Sequence, residues 1–267
     1  MKKIKVPIYE LSKRIRTEKP VVHHLTNWVT IYDCANTVKV IGGSPVMAHA
    51  REEVQDMVRL ASSLVLNIGT LTVDFVESMK LAAMGANIKG IPVILDVCGA
   101  GATQLRDQKC FELLDKVKIN IIKGNLSEVA RIAGKNVRTK GVDATHIDVD
   151  IMELASSLAQ KRNCTVVVTG KDDIITDARK GYVVKNGHPM MANIVGTGCM
   201  AGSIIGTFAA VEPDLALSSA AALSLFGIAG ELSAKSGAGP GTFKEKLFNH
   251  LYSLDRKTID KMQKVYR

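Results

Sequence analysis

A cysteine lies at the point where a glycine turn runs into a helical pattern. In NIVGTGCMAGSIIG, residues 193–206, the turn Gly196-Thr197-Gly198 precedes Cys199 and an apolar helix. Backbone N–H groups at a helix start lack intrahelical acceptors, so they attract anions, and the same positive end lowers the pKa of a thiol. The turn therefore predicts a phosphoryl site with Cys199 placed to orient and deprotonate a substrate hydroxyl. The alternative is that these glycines only allow tight packing.

Two carboxylates are candidates for a magnesium site. Asp96 follows the apolar run PVIL, and Glu128 ends GNLSE, residues 124–128. Acting directly or through water, they would hold magnesium on nucleotide phosphates. Both have a structural alternative, because Asn125 and Glu128 are spaced for a helix capping box and an aspartate at a strand end commonly starts a turn.

Polar and glycine residues follow several other apolar runs. Ligands of open α/β sheets bind beyond the carboxyl ends of the strands, so these positions suit a phosphate-handling site. Neither a P-loop nor a full dinucleotide fingerprint occurs, because Asp172 follows Gly170-Lys171 and GAGAT (99–103) is incomplete. The positions are Thr26-Asn27, Val46-Met47, Gly69-Thr70, Lys123 and Thr169-Gly170.

The elements that must position these residues read as βα repeats. Short, nearly continuous apolar runs alternate with helical patterns, which predicts a mainly parallel sheet covered by helices on both faces. After Gly170, DIITDA and GYVVKNG predict an antiparallel hairpin on the sheet edge. The parallel runs are VVHHLT, SPVMAH, SLVLNIG, IPVILDV, INIIKG and CTVVVTG.

The chain reads as a single domain over residues 1–267, since no linker or fixed-period repeat divides it. From Cys199 onward the pattern is helical, with breaks near 212–214, 236–241 and Asp255. The apolar run 215–230 is shorter than the roughly 20 residues of a membrane span, so we expect a packed core helix and no membrane partner.

Charge and cysteine usage exclude further classes. The net charge of +9 lies at the two ends, with +5 over residues 1–19 and +4 over 244–267, and no aromatic-interleaved basic run occurs. We therefore expect no nucleic-acid partner. Five cysteines without a C-x-x-C pair favour neither disulfides nor structural zinc, and no signal peptide is visible, so a cytoplasmic location is expected.

Taken together, these segments resemble the hydroxyethylthiazole kinases, a family of the ribokinase-like superfamily. The similarity is nearly full length. It rests on residues 21–57, LVLNIGTL (64–71), PVILDVCGAGAT (92–103), IIKGNLSEV (121–129), VVVTGKDDIITD (166–177), NGHPMM (186–191), GTGC (196–199) and GPGTFKEKLFNHL (239–251). The resemblance implies a three-layer α/β/α ribokinase-like fold.

The resemblance also implies a reaction and its site. The γ-phosphate of ATP would pass to the primary alcohol of 4-methyl-5-(2-hydroxyethyl)thiazole, with Mg²⁺, in thiamine salvage. Asn27 and Met47 would contact the thiazole, Gly196 its hydroxyethyl region, and Cys199 would act near the hydroxyl. Lys123 and Thr169 would bind the nucleotide, and Asp96 and Glu128 would work on magnesium and phosphate.

Members of this family resemble homotrimers with active sites between subunits, so Asn27 would serve a neighbour's site. The small-residue helix 215–230 is a candidate for that interface.

Three departures qualify the resemblance. Asp96-Val97-Cys98-Gly99 stands where the family usually has Asp-Pro-Val-Gly, which adds a second thiol near the phosphate. Lys123 replaces an arginine and loses the planar fork for bidentate phosphate contact, so we expect weaker nucleotide binding. Lys171 and Asp172 replace an acidic and apolar pair.

Three other functions stay open. The chain could be a kinase for hydroxymethylpyrimidine, against which Asn27 and Met47 argue, or an ATP-dependent repair dehydratase. It could also be a regulator that binds nucleotide or thiazole without turnover, which the Val97 and Lys123 departures suggest.

Overall fold

The computed structural model describes residues 1–135, 150–235, 237 and 239–267. Its described strands form a single sheet, and both ends of the chain contribute to it. The strands are β1 (Lys3–Ile4), β2 (Val21–Leu25), β3 (Ser44–Val46), β4 (Ser63–Asn67), β5 (Val93–Asp96), β6 (Ile121–Asn125), β7 (Thr165–Thr169), β8 (Asp173–Thr176), β9 (Gly181–Val184) and β10 (Val265–Tyr266).

Helices cover both faces of this sheet. A short 3₁₀ helix, Pro189–Asn193, precedes the helix that carries the glycine turn. The α-helices are α1 (Ile8–Glu18), α2 (Ile31–Ile41), α3 (Val54–Leu60), α4 (Val73–Lys89), α5 (Gln104–Lys116), α6 (Leu126–Ile132), α7 (Ile151–Arg162), α8 (Thr197–Ala209), α9 (Leu215–Ala234), α10 (Pro240–Ser253) and α11 (Arg256–Met262).

The sheet is mainly parallel, as the sequence predicts. Its order is β1-β10-β9-β8-β7-β6-β5-β4-β2-β3, with parallel pairing from β7 to β3 and antiparallel pairing from β7 to β1. The hairpin β8–β9 forms as predicted, in the antiparallel part at one edge of the sheet, and two further strands that the sequence does not predict extend this edge. The two terminal strands β1 and β10 lie outside it, and each is only two residues long, too short to show a period-2 pattern.

Each central strand contributes side chains to two hydrophobic cores, one on each face of the sheet. In β5, Ile94 packs into the core beneath α8, α9 and α10, whereas Val93 and Leu95 pack into the core beneath α4 and α5. Successive side chains of a strand point to opposite faces, so a strand covered on both sides reads as a continuous apolar run.

Helix α9 is longer than the predicted helix 215–230, so the inference that it is too short to span a membrane is wrong. It runs for 20 residues to Ala234, long and apolar enough to cross a membrane by composition alone. The helix continues past Gly230 because Glu231 accepts hydrogen bonds from Asn186 Nδ2 (2.9 Å) and Lys264 Nζ (3.0 Å).

Burial decides the role of α9. Of its most apolar window, 78% is buried inside the protein, against α8, α10 and the β7–β9 part of the sheet. The expected core helix is therefore confirmed. Its small residues are covered by this chain's own elements, so the suggested role of this helix at a subunit interface is not supported.

The predicted helix breaks also form. Helix α8 ends at Ala209, and Asp214 caps α9 through Leu217 N–H; Asp255 caps α11 through Thr258 N–H. Within the predicted break 236–241, residues 236 and 238 lie outside the described residues.

Two glycines let α8 approach the sheet closely. A Cβ atom on Gly206 would lie 2.4 Å from Val65 Cγ2 of β4, and one on Gly202 would lie 3.6 Å from Asp96 Oδ2 of β5. Residues four apart in a helix lie on the same face, so both glycines face the sheet. This close packing brings the first turn of α8, with Cys199, onto the carboxyl ends of the strands.

We predict that Gly206→Ala lowers the free energy of unfolding. Val65 is buried and stiff at χ1, so the new methyl group costs about 1–3 kcal/mol, more than the roughly 0.5–1 kcal/mol that alanine gains in a helix. Gly85→Ala in α4 is the matched control, because its nearest contact would be an ordinary 3.5 Å to Val58 Cγ1. Chemical denaturation measures both variants. Equal or greater stability of Gly206→Ala than of Gly85→Ala would contradict the packing argument.

Candidate active site

Three polar side chains form a row across adjacent strands at the carboxyl end of the sheet. Asn67 of β4 lies opposite Asp96 of β5, which in turn lies opposite Lys123 of β6. Each is two residues after a side chain of the α8-side core (Val65, Ile94 and Ile121). Parallel register and the period of two therefore aim all three toward α8. We call Asn67, Asp96 and Lys123 the polar row.

The centre of the polar row is a buried ion pair. Lys123 Nζ lies 3.1 Å from Asp96 Oδ2, and the two side chains are only 4% and 2% exposed. Burial disfavours the charge on Lys123, but the carboxylates of Asp96 and Glu128 outweigh it and raise the pKa of the ammonium. Burial raises the pKa of Asp96 to about 7, although Lys123 opposes that shift.

One oxygen of Asp96 is left without a partner. Oδ2 accepts from Lys123 Nζ and from Asn67 Nδ2 at 3.0 Å, whereas Oδ1 is buried and, within the described residues, has no hydrogen-bond partner. An unpaired buried carboxylate oxygen is costly, so it marks a place where a ligand is expected.

Cys199 sits against the polar row. Its Sγ accepts from Asn27 Nδ2 at 3.1 Å and from Asn67 Nδ2 at 3.3 Å. The Asn27 amide is oriented by the N–H and hydroxyl of Thr30, which donate to Oδ1 at 3.1 and 3.0 Å and leave Nδ2 to face the sulfur. The structure therefore brings the predicted residues Asn27, Asp96, Lys123 and Cys199 together.

The surroundings of Cys199 favour its thiolate. The neighbouring Cys98 thiol has the largest effect and lowers the pKa of Cys199 to about 5, against burial, which would raise it. The Lys123 charge and the Thr30 and Asn27 side chains act in the same direction. The pKa of Cys98 is raised, first by its interaction with Cys199 and then by burial.

The glycine turn forms at the start of α8, where the sequence predicts it. Gly196 has φ +95° and provides no side-chain cap to the helix. A Cβ there would lie 2.5 Å from Thr30 Cγ2, so the turn requires glycine for both conformation and space. A Cβ on Gly198 would lie 3.3 Å from Lys123 Nζ, which places the ammonium directly beside the turn.

A cavity of about 600 Å³ opens beside this turn. Thr169, Gly170, Thr197 and Gly198 line it near the strand ends, and Phe226 and Gly227 of α9 line its apolar wall. Thr169 Oγ1 donates to Gly124 O at 3.3 Å. This volume suits a nucleotide-sized ligand. Lys123 is not among the lining residues and lies buried beneath the turn instead.

Glu128 has the capping role that was its structural alternative. Its Oε2 accepts from Asn125 N at 2.7 Å within a full capping box, and its Oε1 accepts from Gly99 N at 2.7 Å. Both oxygens therefore hold backbone at the carboxyl end of the sheet.

The described residues contain no group of three or more His, Cys, Asp or Glu side chains that could hold a metal by themselves. Asp96 Oδ1 nevertheless suits magnesium, which binds through one or two carboxylates, waters and substrate phosphates.

Met47 follows a strand that does not adjoin the polar row, because β2 separates β3 from β4. It follows the edge strand β3, and its carbonyl oxygen lies 3.3 Å from His49 Nδ1. Within the described part of the chain, its side chain has no hydrogen bond to Asn27 or Cys199.

Sequence reasoning missed three residues that shape the site: Asn67, Thr30 and Arg106. Arg106 of α5 clamps two strand ends, because Nη1 donates to Ile68 O (2.7 Å) and Cys98 O (3.1 Å) and Nη2 donates to Gly69 O (2.7 Å). The only signal for Asn67 was its place as the last residue of an apolar run.

Comparisons of sequence and of structure find relatives that match nearly the whole chain. Residues 12–257 match the sequence model of the hydroxyethylthiazole kinase family. The chain is similar to the hydroxyethylthiazole kinase of Methanosarcina mazei, with 53% identity over 95% of this chain and 97% of the relative. The corresponding kinase of Thermoanaerobacter pseudethanolicus is 49% identical over 96% and 98%. The solved structure of hydroxyethylthiazole kinase protein from Pyrococcus horikoshii has a TM-score of 0.90, with 37% identity over 97% and 98% of the two chains.

We predict that Cys98→Ala raises the pKa of Cys199. The variant removes the neighbouring thiol that does most to stabilise the Cys199 thiolate, so thiolate formation shifts to higher pH. The rate of iodoacetamide alkylation against pH, followed by intact mass, measures this pKa, with Cys199→Ala identifying the signal. Cys110→Ala, which removes a buried thiol of the opposite core, is the control and leaves the midpoint in place. An unchanged midpoint in Cys98→Ala would contradict this effect of Cys98 on the Cys199 pKa.

Proposed function

Because the chain belongs to the hydroxyethylthiazole kinase family, we propose that it transfers the γ-phosphate of ATP to the primary hydroxyl of 4-methyl-5-(2-hydroxyethyl)thiazole. The product is the thiazole phosphate used in thiamine salvage. The observation that carries this proposal is Cys199 Sγ, held by Asn27 and Asn67 at the end of the polar row and beside the glycine turn.

The acceptor alcohol lies at Cys199. Its oxygen attacks the γ-phosphorus as the bond from that phosphorus to the bridging oxygen of ADP breaks, and its proton passes to the Cys199 sulfur. Phosphoryl transfer has a loose transition state, so orientation and charge stabilisation contribute more than strong base catalysis. Asn27, Met47 and Gly196 contact the thiazole side of the substrate.

The nucleotide occupies the 600 Å³ cavity, with its phosphates at the Gly196-Thr197-Gly198 turn. Thr169 lines the nucleotide side, and Lys123 supports the transferred charge from beneath the turn. Asp96 would hold Mg²⁺ through Oδ1, directly or through water, with Glu128 contributing charge from behind the strand ends. Magnesium held there would supply positive charge that offsets the negative charge of the ATP phosphates.

The assembly we propose is a homotrimer with active sites between subunits. Apolar side chains next to Asn27 and Gly196 support it, because Val29, Tyr32 and Val195 are 69%, 75% and 73% exposed. Residues 1–267 form one kinase domain in this proposal, since strands from both termini join one sheet. The free cysteines, Cys98 and Cys199 among them, favour a cytoplasmic location.

The test is incubation of the protein with MgATP and hydroxyethylthiazole, with hydroxymethylpyrimidine as the competing acceptor, followed by product mass. We expect phosphorylation selective for the thiazole and dependent on Mg²⁺. Phosphorylated pyrimidine would favour the related kinase. ATP consumption only with a hydrated nicotinamide nucleotide would favour a dehydratase, and thiazole binding without product would favour the regulator.

We predict that Cys199→Asp retains substantial kinase activity and Cys199→Ala only a small residue of it. Aspartate offers the acceptor hydroxyl a base among the same amide donors, and a general base contributes about 10²–10⁴-fold. Turnover at saturating substrates, with binding of each substrate measured separately, provides the comparison. An aspartate variant that folds and binds both substrates yet turns over no faster than the alanine variant contradicts this role of Cys199.

A further inference from the structure

Asn67 joins the two halves of the proposed site. It is the last residue of β4, is 1% exposed, and lies between Asn27 and Cys199 on one side and Asp96 on the other. A polar residue at a strand end ordinarily finds its partners in a turn or in solvent. Asn67 is instead enclosed by Asn27, Cys199 and Asp96, which are proposed to act on the substrate and the phosphate.

The orientation of the Asn67 amide is fixed by chemistry. Gly69 N–H can only donate, and it lies 2.8 Å from Oδ1, so that atom is the acceptor. Oδ1 also accepts from Asn27 Nδ2 at 3.1 Å. Nδ2 must then donate its two hydrogens to Asp96 Oδ2 at 3.0 Å and Cys199 Sγ at 3.3 Å.

This arrangement determines which oxygen of Asp96 is free. Asn67 Nδ2 and Lys123 Nζ both bind Oδ2, and they leave Oδ1 buried and unpartnered among the described residues. Two fixed donors on one oxygen also fix the rotation of the carboxylate. The free oxygen is therefore held in one direction, as a ligand site requires.

The same nitrogen fixes the sulfur. Asn27 and Asn67 approach Cys199 Sγ as two amide donors, but only Asn67 also contacts the carboxylate. A movement of Cys199 relative to Asp96 would break one of the two donations from Nδ2. One amide thus sets the distance between the acceptor side and the phosphate side of the site.

We propose that Asn67 is a positioning residue for phosphoryl transfer, with its amide nitrogen holding Cys199 and Asp96 in register so that the acceptor hydroxyl and the phosphate meet in line. This inference rests on the proposed kinase function. A displacement of about 1 Å costs on the order of 10²-fold in rate when alignment limits the reaction.

Asn67→Asp separates positioning from structural support. The variant keeps an oxygen to accept from Gly69 and Asn27 but loses both donations from Nδ2. Asn120→Asp is the matched control, because Asn120 Oδ1 accepts from Val93 N at 2.9 Å at the opposite end of the sheet. Asn67→Ser is a second, uncharged variant that also removes the donations, in case a third negative charge prevents folding.

The experiment measures kcat, KM for ATP, KM for the thiazole and folded fraction for each variant. We expect kcat of Asn67→Asp and Asn67→Ser to fall by about 10²-fold, with each KM changed by less than about threefold. Asn120→Asp keeps wild-type kcat. A purely structural role would lower the folded fraction and leave kcat per folded molecule unchanged, and that result would overturn the proposal.

A double-variant comparison tests whether Asn67 acts through the sulfur. In a Cys199→Ala background, Asn67→Ser should cost much less of the remaining kcat than it costs in the wild type. Equal losses in both backgrounds would overturn coupling through Cys199. Wild-type protein that phosphorylates no thiazole would refute the proposed function, whereas an active wild type with unaffected Asn67 variants would refute only this inference.

Discussion

The buried pair between Asp96 and Lys123 is the constraint from which the rest of the site follows. Two charges that are almost fully enclosed must satisfy each other and their remaining polar atoms inside the protein. Lys123 and Asn67 meet that demand at one oxygen of Asp96, so the second oxygen stays available. The free oxygen is the feature of this pair that supports the proposed magnesium site.

The surrounding strands and helices set the position of that pair. Parallel register sets Asn67, Asp96 and Lys123 in one row, and the alternation of β-strand side chains turns the row toward α8. The glycines of α8 permit close packing, so the first turn of the helix, with Cys199, lies against the polar row. Arg106 holds the loops after β4 and β5 from the other side. The site is therefore a product of strand register and helix approach together.

Sequence reasoning identified the features that have local signals. A glycine turn before an apolar helix and an aspartate after an apolar strand can be recognised from neighbouring residues, and both were found. Asn67 was missed because its function arises from register with Asp96, 29 residues away. Strands β1 and β10 were missed because their pairing joins the two ends of the chain. The apolar run 215–230 ends before α9 does because Glu231 is charged, and its partner Lys264 lies 33 residues away in the sequence.

Glu128 acts both on the backbone next to it and, through its charge, on Lys123. Its carboxylate holds the backbone at Gly99 and Asn125, and its charge also favours the protonated form of Lys123. Local spacing was enough to predict the cap, whereas its effect on Lys123 depends on the packing of β6 against α6. Local spacing thus predicts a residue's nearest hydrogen-bond partner, whereas only the tertiary structure shows which more distant groups its charge affects.

The most direct test of the central claim is the turnover of the double variant Asp96→Asn with Lys123→Met. Removing one charge of a buried pair costs about 3–5 kcal/mol, whereas replacing both is often neutral for stability. The account predicts that the double variant recovers the thermal stability lost in Lys123→Met alone and still phosphorylates the thiazole at least about 10²-fold more slowly than wild type. A stable double variant with wild-type turnover would contradict the claim that the pair is built for phosphoryl transfer.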